Sequence, residues 1–316
     1  MAEKRFPTSL LEAVRYFEDP DVCRDFVVSL RWPNGVTCPR EGCGSDRVAF
    51  VESRKIWRCN GCRKQFSVKV GTIFEDSPIG LEKWLPAIWM LTSAKQGVSS
   101  YQLSRALGIT QKSAWHMEHR IRVAMRTESF NKPLDGEVEA DESFFGGKAK
   151  NMHYYKKLER TKGGRGAAGK AIVMGVLQRG GDVRANTIPD TRRRTLQSEV
   201  RKHVAPGSAV YTDALPSYRG LSDDYLHEFV DHTYEYVNGR VSTNSLEGFW
   251  SLVKRSVDGT YHSVEPVHLD RYLDEFTRRF NTRKLSDAQR FVLTVSSAIG
   301  RRLTYKELIG QASTAP

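Results

Sequence analysis

"GEVEADESFFGGK", residues 136–148, is the stretch on which the fold turns. Glu137, Glu139 and Asp141 alternate with Val138 and Ala140, and a period of two places three acids on one face of a strand. A strand facing water would tolerate them without consequence. This one runs directly into residues 148–170, "KAKNMHYYKKLERTKGGRGAAGK", with eight Lys or Arg against one Glu and few large apolar groups. Such a composition cannot bury a core and predicts a mobile loop suited to phosphate contact.

Downstream, "AIVMGVLQRGGDVRANTIPD" (171–190) has the pattern of two strands around Gly180 and Gly181. "TRRRTLQSEVRKHV" follows as a basic helix capped by Thr191 or Asp190, with Arg192 and Arg193 as candidate DNA contacts. "GSAVYTDALPSYRGL" contains a short apolar strand ending on Asp213, just before a turn with Pro216. An acid at the carboxyl end of a buried strand is well placed for chemistry in an α/β sheet. "VSTNSLEGFWSLVKR" (241–255) is an amphipathic helix with Glu247 near its start and Lys254 two turns later on nearly the same face.

The element order predicts a ribonuclease-H-like α/β domain, a mixed sheet with flanking helices. It brings Asp141, Asp213 and Glu247 together from distant elements. Like charges in a crevice raise one another's pKa, and divalent cations relieve the repulsion. Hard oxygen ligands select Mg²⁺ or Mn²⁺, and two such ions roughly 3.5–4 Å apart suit phosphodiester displacement. Lys254 would hold a DNA phosphate beside them. Singly, each acid also has a bland explanation: Glu247 as a helix N-terminal acid, Asp213 as a turn cap.

A second metal site is legible further upstream. Cys38 and Cys43 in "CPREGC", and Cys59 and Cys62 in "CNGC", flank a hairpin-like segment, the pattern of a zinc ribbon with one structural Zn²⁺. Disulfides would need an oxidising compartment, for which the N-terminus offers no export signal. Cys23 stands alone and is expected to be a small buried residue. Next, "SSYQLSRALGITQKSAWHMEHRIRVAM" (99–125) predicts a helix capped by Ser99 or Ser100, a turn at Gly108 and a second helix capped by Thr110. In such a helix-turn-helix, Gln111, Lys112, Ser113 and His116 would be the outward residues entering a DNA groove.

The whole chain fits a polyanionic partner. Its 316 residues carry 49 Lys plus Arg against 37 Asp plus Glu, a net charge of +12. No apolar run reaches the roughly 20 residues that span a bilayer, and a cytoplasmic, nucleoid-associated protein is expected.

These motifs together resemble bacterial insertion-sequence transposases of the DDE type, which join a zinc ribbon and helix-turn-helix to a ribonuclease-H-like domain. The resemblance covers about residues 20–285 and rests on "CPREGC…CNGC", "EADESFFGGK", "YTDALPSY", "VSTNSLEGFWSLVKR", "GTYHSV" and "YLDEFTRRFNTR". It implies Asp141, Asp213 and Glu247 as metal ligands, and cutting of transposon ends and their joining to target double-stranded DNA. Some relatives have Asn or His instead of Glu at the third position, so Asn244, one turn before Glu247, competes for the role. Glu247 is preferred because Lys254 follows it by seven residues and because a carboxylate neutralises Mg²⁺ better than an amide. Glu142 competes with Asp141, but strict alternation would point it away. A homodimer bridging two ends is expected, with no membrane or small-molecule partner. The alternatives are a catalytically silent DNA-binding regulator derived from a transposase and a ribonuclease-H-like nuclease.

The expected organisation is an N-terminal helical segment (1–35), zinc ribbon (36–76), helix-turn-helix region (77–127), catalytic domain (128–285) and C-terminal helix and tail (286–316). Two helices, "VEPVHLDRYLDEFTRRFNTRK" and "DAQRFVLTVSSAIG", are expected to cover the catalytic sheet.

Overall fold

The structure is a computed structural model and describes residues 5–126, 132–146, 170–230, 241–262 and 264–311. The basic loop expected at 148–170 lies outside the described residues, Lys170 apart. The chain divides into two compact units, Met1–Met125 with Lys284–Pro316, and Arg126–Arg283.

In the first unit, helices α1 (Leu10–Tyr16) and α2 (Pro20–Arg31) precede a three-stranded antiparallel sheet, β1 (Val48–Val51), β2 (Ile56–Cys59) and β3 (Gln65–Phe66). Helix α3 (Leu81–Ser93) is the centre of this unit, burying Trp84, Leu85, Ile88, Trp89 and Leu91. Helix α4 (Ser100–Leu107) opens with a capping box between Ser99 and Gln102 and stops at Gly108, whose φ of 60° is the left-handed conformation that the turn into α5 (Gln111–Met125) requires. Two helices joined by a tight turn are therefore present where a helix-turn-helix was expected.

The C-terminal segment departs from expectation. In the chain's last part, α9 (Asp287–Ser297) packs against α2, α3 and α5 of the first unit instead of forming a cover for the catalytic sheet. Its fully buried Phe291 stacks on Phe26, with ring centroids 5.7 Å apart, and tilts against Trp89 at 5.0 Å. Burying one such ring contributes roughly 1.5–3 kcal/mol, enough to choose this docking for an amphipathic helix. A final short helix, α10 (Tyr305–Leu308), contacts α5.

The second unit is a five-stranded mixed sheet in the order β6-β5-β4-β7-β8. Strands β4 (Glu137–Phe145), β5 (Ala171–Gln178) and β6 (Val183–Ile188) run antiparallel, while β7 (Ala209–Asp213) and β8 (Leu226–Val230) extend β4 in parallel. Alternation sorts β5 into two cores. Met174 and Val176 pack with Leu196 and Val200 of α6 (Arg193–His203), and Val173 and Leu177 pack with α7 (Asn244–Ser256) and α8 (Leu269–Asn281). Helix α8 thus meets the expectation of a cover for the sheet. Its cap differs in α6: Arg192 holds the N-cap position, and Asp190 accepts from the Arg192 amide at 3.0 Å.

Gly175 sets how closely α7 can lie on the sheet. It pairs with Asp141 across β4 and β5, and a Cβ there would stand 2.5 Å from Trp250 Cζ2 and 2.9 Å from Leu246 Cδ1. Gly175→Ala is expected to lift α7 and destabilise the second unit by about 1–3 kcal/mol. Thermal unfolding at fixed pH checks it, and an unchanged melting temperature would contradict the close approach.

Candidate active site and cysteine cluster

Parallel pairing aligns the first two acids. Glu139 lies beside Tyr211 in the β4–β7 ladder, so two residues further on Asp141 comes level with Asp213, the last residue of β7. Asp141, Glu142 and Asp213 each offer a carboxylate oxygen, and these atoms lie within 4.8 Å of one another. Asp141 accepts from Trp250 Nε1 at 3.1 Å, and Asp213 Oδ1 accepts from the Leu215 amide at 3.1 Å, so it also caps its turn.

Glu142 corrects the expectation from alternation. It does leave β4 on the opposite face, toward buried Tyr218, whose hydroxyl donates to its carboxylate. Yet that carboxylate does not point away, because β7 ends at Asp213 and the two faces of the sheet meet there at the strand end. Trp250 and Tyr218 are the residues that sequence reasoning missed as partners of the acids. Tyr218 closes the "YTDALPSY" motif, which was the available signal.

Glu247 enters from the first turn of α7. It lines the same cleft of about 720 Å³ as Asp141, Glu142, Trp250 and Lys254, and Thr243 Oγ1 donates to its Oε1 at 3.2 Å. Asn244, at the exposed start of α7, is not among the residues lining that cleft. Lys254 stands exposed at the rim with Arg255.

The electrostatics follow from crowding. Burial, then the charge of Asp213 and that of Glu247, push Asp141 up to about 6. Burial is also the main reason Glu142 is raised to about 8, with Asp213 and Asp141 adding to it. Folding of the metal-free chain therefore takes up protons over the interval between the ordinary carboxyl pKa values, 3.8 and 4.5, and these raised ones. Stability should fall as pH rises through that interval, since the folded state binds more protons than the unfolded. Between pH 5 and pH 8, in buffer free of Mg²⁺ and without chelator so that the zinc stays bound, melting temperatures should drop less in Glu142→Gln than in wild type, and added Mg²⁺ should recover the wild-type loss. Equal losses in both proteins would contradict the crowding.

In the first unit, Cys38, Cys43, Cys59 and Cys62 bring their sulfurs within 4.8 Å of one another. The Cys38–Cys62 and Cys43–Cys59 sulfur pairs are each 3.7 Å apart, far beyond a bond. A tetrahedral Zn²⁺ with Zn–S near 2.3 Å has sulfur–sulfur edges of about 3.8 Å, so the donor set fits the ion. Backbone amides of Cys62 and Gly61 pull the Cys59 thiol down to about 6, part of the way to the thiolate that a metal needs.

The residues expected to meet DNA are unevenly placed. On α5, Lys112 is exposed but lies over the Tyr305 ring at 5.0 Å. Gln111 Nε2 donates to Ser100 Oγ at 2.8 Å, and Ser113 takes part in the Thr110 cap. His116 is only half exposed, with its ring 5.5 Å from that of Tyr305, because the C-terminal α10 covers this face of the helix. Arg192 and Arg193 are exposed at the start of α6.

Among known proteins, residues 133–281 match the ISXO2-like transposase domain, and residues 18–65 match the transposase zinc-ribbon domain. The sheet, the acid cluster and the four cysteines are consistent with the DDE class of insertion-sequence transposases. Within that class the chain belongs to the family with an ISXO2-like transposase domain and its zinc ribbon. It is similar to an uncharacterised protein in transposable element ISH50 of Halobacterium salinarum, 29% identical over 272 residues, covering 81% of this chain and 88% of that protein. An uncharacterised transposase-like protein of Haemophilus influenzae is 28% identical over 99 residues, covering 31% of this chain and 80% of the relative. Among the described residues, no helix is long and apolar enough to cross a membrane.

Proposed function

We propose that this protein binds the terminal inverted repeats of its insertion sequence and catalyses metal-dependent DNA cleavage and strand transfer. The observation that carries this reading is the packing of the Asp141, Glu142 and Asp213 carboxylates within 4.8 Å, two of them with raised pKa values, a cluster that favours divalent cations and that Glu247 adjoins across the cleft. Asp141, Asp213 and Glu247 are the proposed ligands, and Glu142 joins them as a fourth candidate. Two Mg²⁺ or Mn²⁺ ions bound there would supply Lewis-acid activation of the attacking oxygen and charge stabilisation at the leaving 3′ oxygen.

Around that centre the chain's own groups position the reaction. The Trp250 indole orients Asp141. Thr243 holds Glu247 toward the cleft, and Lys254 meets a phosphate at the rim. Gln111, Lys112 and Ser113 on α5, with Arg192 and Arg193, contact DNA, and one structural Zn²⁺ on the four cysteines shapes the ribbon that helps read the element's ends. His116, being partly covered by Tyr305, takes a lesser share. Two copies of the chain bridge the two transposon ends in the cytoplasm. Incubating labelled duplexes of the terminal repeats with a target duplex and Mg²⁺ tests this: joined products with a chelator-sensitive yield are expected. Binding of the ends without any cleavage would favour a silent regulator instead.

A further inference from the structure

A fully buried carboxylate two residues before Asp141 has no part in the site as described so far. Glu139, 0% exposed, faces the same side of β4 as Asp141. Its Oε2 accepts from the Leu246 amide at 2.9 Å, in the first turn of α7 and immediately before Glu247. Helix α7 receives no side-chain cap bond from its own N-cap residue, Thr243. A carboxylate from another element thus takes one of the donors that a helix N-terminus leaves unpaired, at the positive end of its dipole.

The other oxygen completes a clamp. Glu139 Oε1 accepts from Arg179 Nε at 2.8 Å, and Arg179 NH2 donates to the Ser242 carbonyl at 2.9 Å and to Ser242 Oγ at 3.0 Å, just upstream of α7. The guanidinium lies over the Tyr211 ring at 4.4 Å, and Tyr211 stands two residues before Asp213 on β7. Tyr211 in turn donates to Glu137 at 3.0 Å. One network therefore touches β4, β7 and α7, each within two residues of an acid.

Resting on the reading of Asp141, Asp213 and Glu247 as a metal site, we infer that Glu139 and Arg179 are positioning residues that fix Glu247 against the two aspartates. Sheet pairing already aligns Asp141 with Asp213, whereas Glu247 arrives on a separate helix with an exposed side chain. Its register depends on where α7 begins, and the Glu139–Arg179 pair holds that point from both sides. A displacement near 1 Å in such a constellation is enough to lower a rate about a hundredfold.

The test measures Mn²⁺ binding to the full-length protein without DNA, by calorimetry, alongside cleavage of the terminal-repeat duplex. Glu139→Gln keeps an acceptor for the Leu246 amide but lacks the charge that holds Arg179. It is expected to raise the Mn²⁺ dissociation constant about tenfold and to lower kcat while leaving KM for DNA unchanged. Arg179→Lys should move the same quantities less. The double variant Glu139→Gln with Arg179→Met should bind Mn²⁺ no worse than Glu139→Gln alone, because the two residues act as a unit. A purely structural role would lower the melting temperature and leave metal affinity at the wild-type value in folded protein. Wild-type Mn²⁺ affinity in folded Glu139→Gln, or in Arg179→Lys should the first variant not fold, overturns the inference and leaves the metal site standing. Absence of Mn²⁺ binding by wild type overturns both.

Discussion

Asp213→Asn is expected to reduce cleavage of terminal-repeat DNA by a thousandfold or more while leaving binding to that DNA at or slightly above the wild-type level. The substitution removes one of the clustered anionic oxygens without adding bulk, and the surviving side-chain oxygen can still accept from the Leu215 amide and so keep its cap on the turn. Local structure is therefore preserved and the loss falls on metal binding. Metal ions contribute several kcal/mol of charge stabilisation to such reactions, and each factor of ten in rate corresponds to about 1.36 kcal/mol. Retained affinity for DNA follows because one negative charge is removed beside Asp141 and Glu142, which line the cleft that Lys254 and Arg255 rim. Gel-shift and cleavage assays on the same preparation separate the two effects. Persistent cutting would remove Asp213 from the metal site.

Removing the zinc, or substituting Cys59 by Ser, is expected to unfold residues 36–70 and weaken binding to the transposon ends. The strands here are short: β1 and β2 have four residues each and β3 has two. A sheet of that size is marginal without a further tie. Some apolar support remains, since Trp57 stacks on Phe66 at 6.0 Å and lies edge-on to Trp32 at 5.8 Å. Against that, metal binding to a structural four-thiolate site contributes on the order of 10 kcal/mol, which exceeds what those rings supply. Cys59 is the sharpest choice of the four because amides already lower its pKa to about 6. Amide exchange across 36–70, with and without chelator, reads the unfolding directly. Unchanged end binding after verified zinc loss would show that the ribbon takes no part in recognition.

Much of the site was legible because its acids sit where local patterns end. Asp141 ends the acid–apolar alternation midway along β4, Asp213 ends an apolar strand and Glu247 opens an amphipathic helix; each location follows from neighbours a few residues away. What joins them is not local. Trp250 donates to Asp141 across 109 residues, Tyr218 to Glu142 across 76, and Leu246 to Glu139 across 107. No periodicity reports such contacts. Glu142 shows the limit of parity: alternation gives the face a side chain leaves from, but a neighbouring strand that stops at Asp213 lets a long side chain reach the same cluster. The docking of α9 was hidden for a related reason. An amphipathic helix declares that it needs an apolar partner without saying which one, and the aromatic pocket of Phe17, Phe26 and Trp89 is assembled only in the folded first unit. Similarly, Tyr305 gives no sign in the sequence that it will cover His116.

The choice between Glu247 and Asn244 bears most directly on the proposed chemistry. Glu247 lines the cleft and its charge raises Asp141, whereas Asn244, one turn earlier, does not line it. The decisive measurement is Mg²⁺-dependent cleavage and joining of labelled terminal-repeat duplexes by wild type, Glu247→Gln and Asn244→Ala, side by side. Active wild type, a loss of at least about a hundredfold in Glu247→Gln and near-normal Asn244→Ala are the predicted results. Full activity in Glu247→Gln, or an inactive wild type in the presence of Mg²⁺, would contradict a metal-dependent transposase centred on Asp141, Asp213 and Glu247.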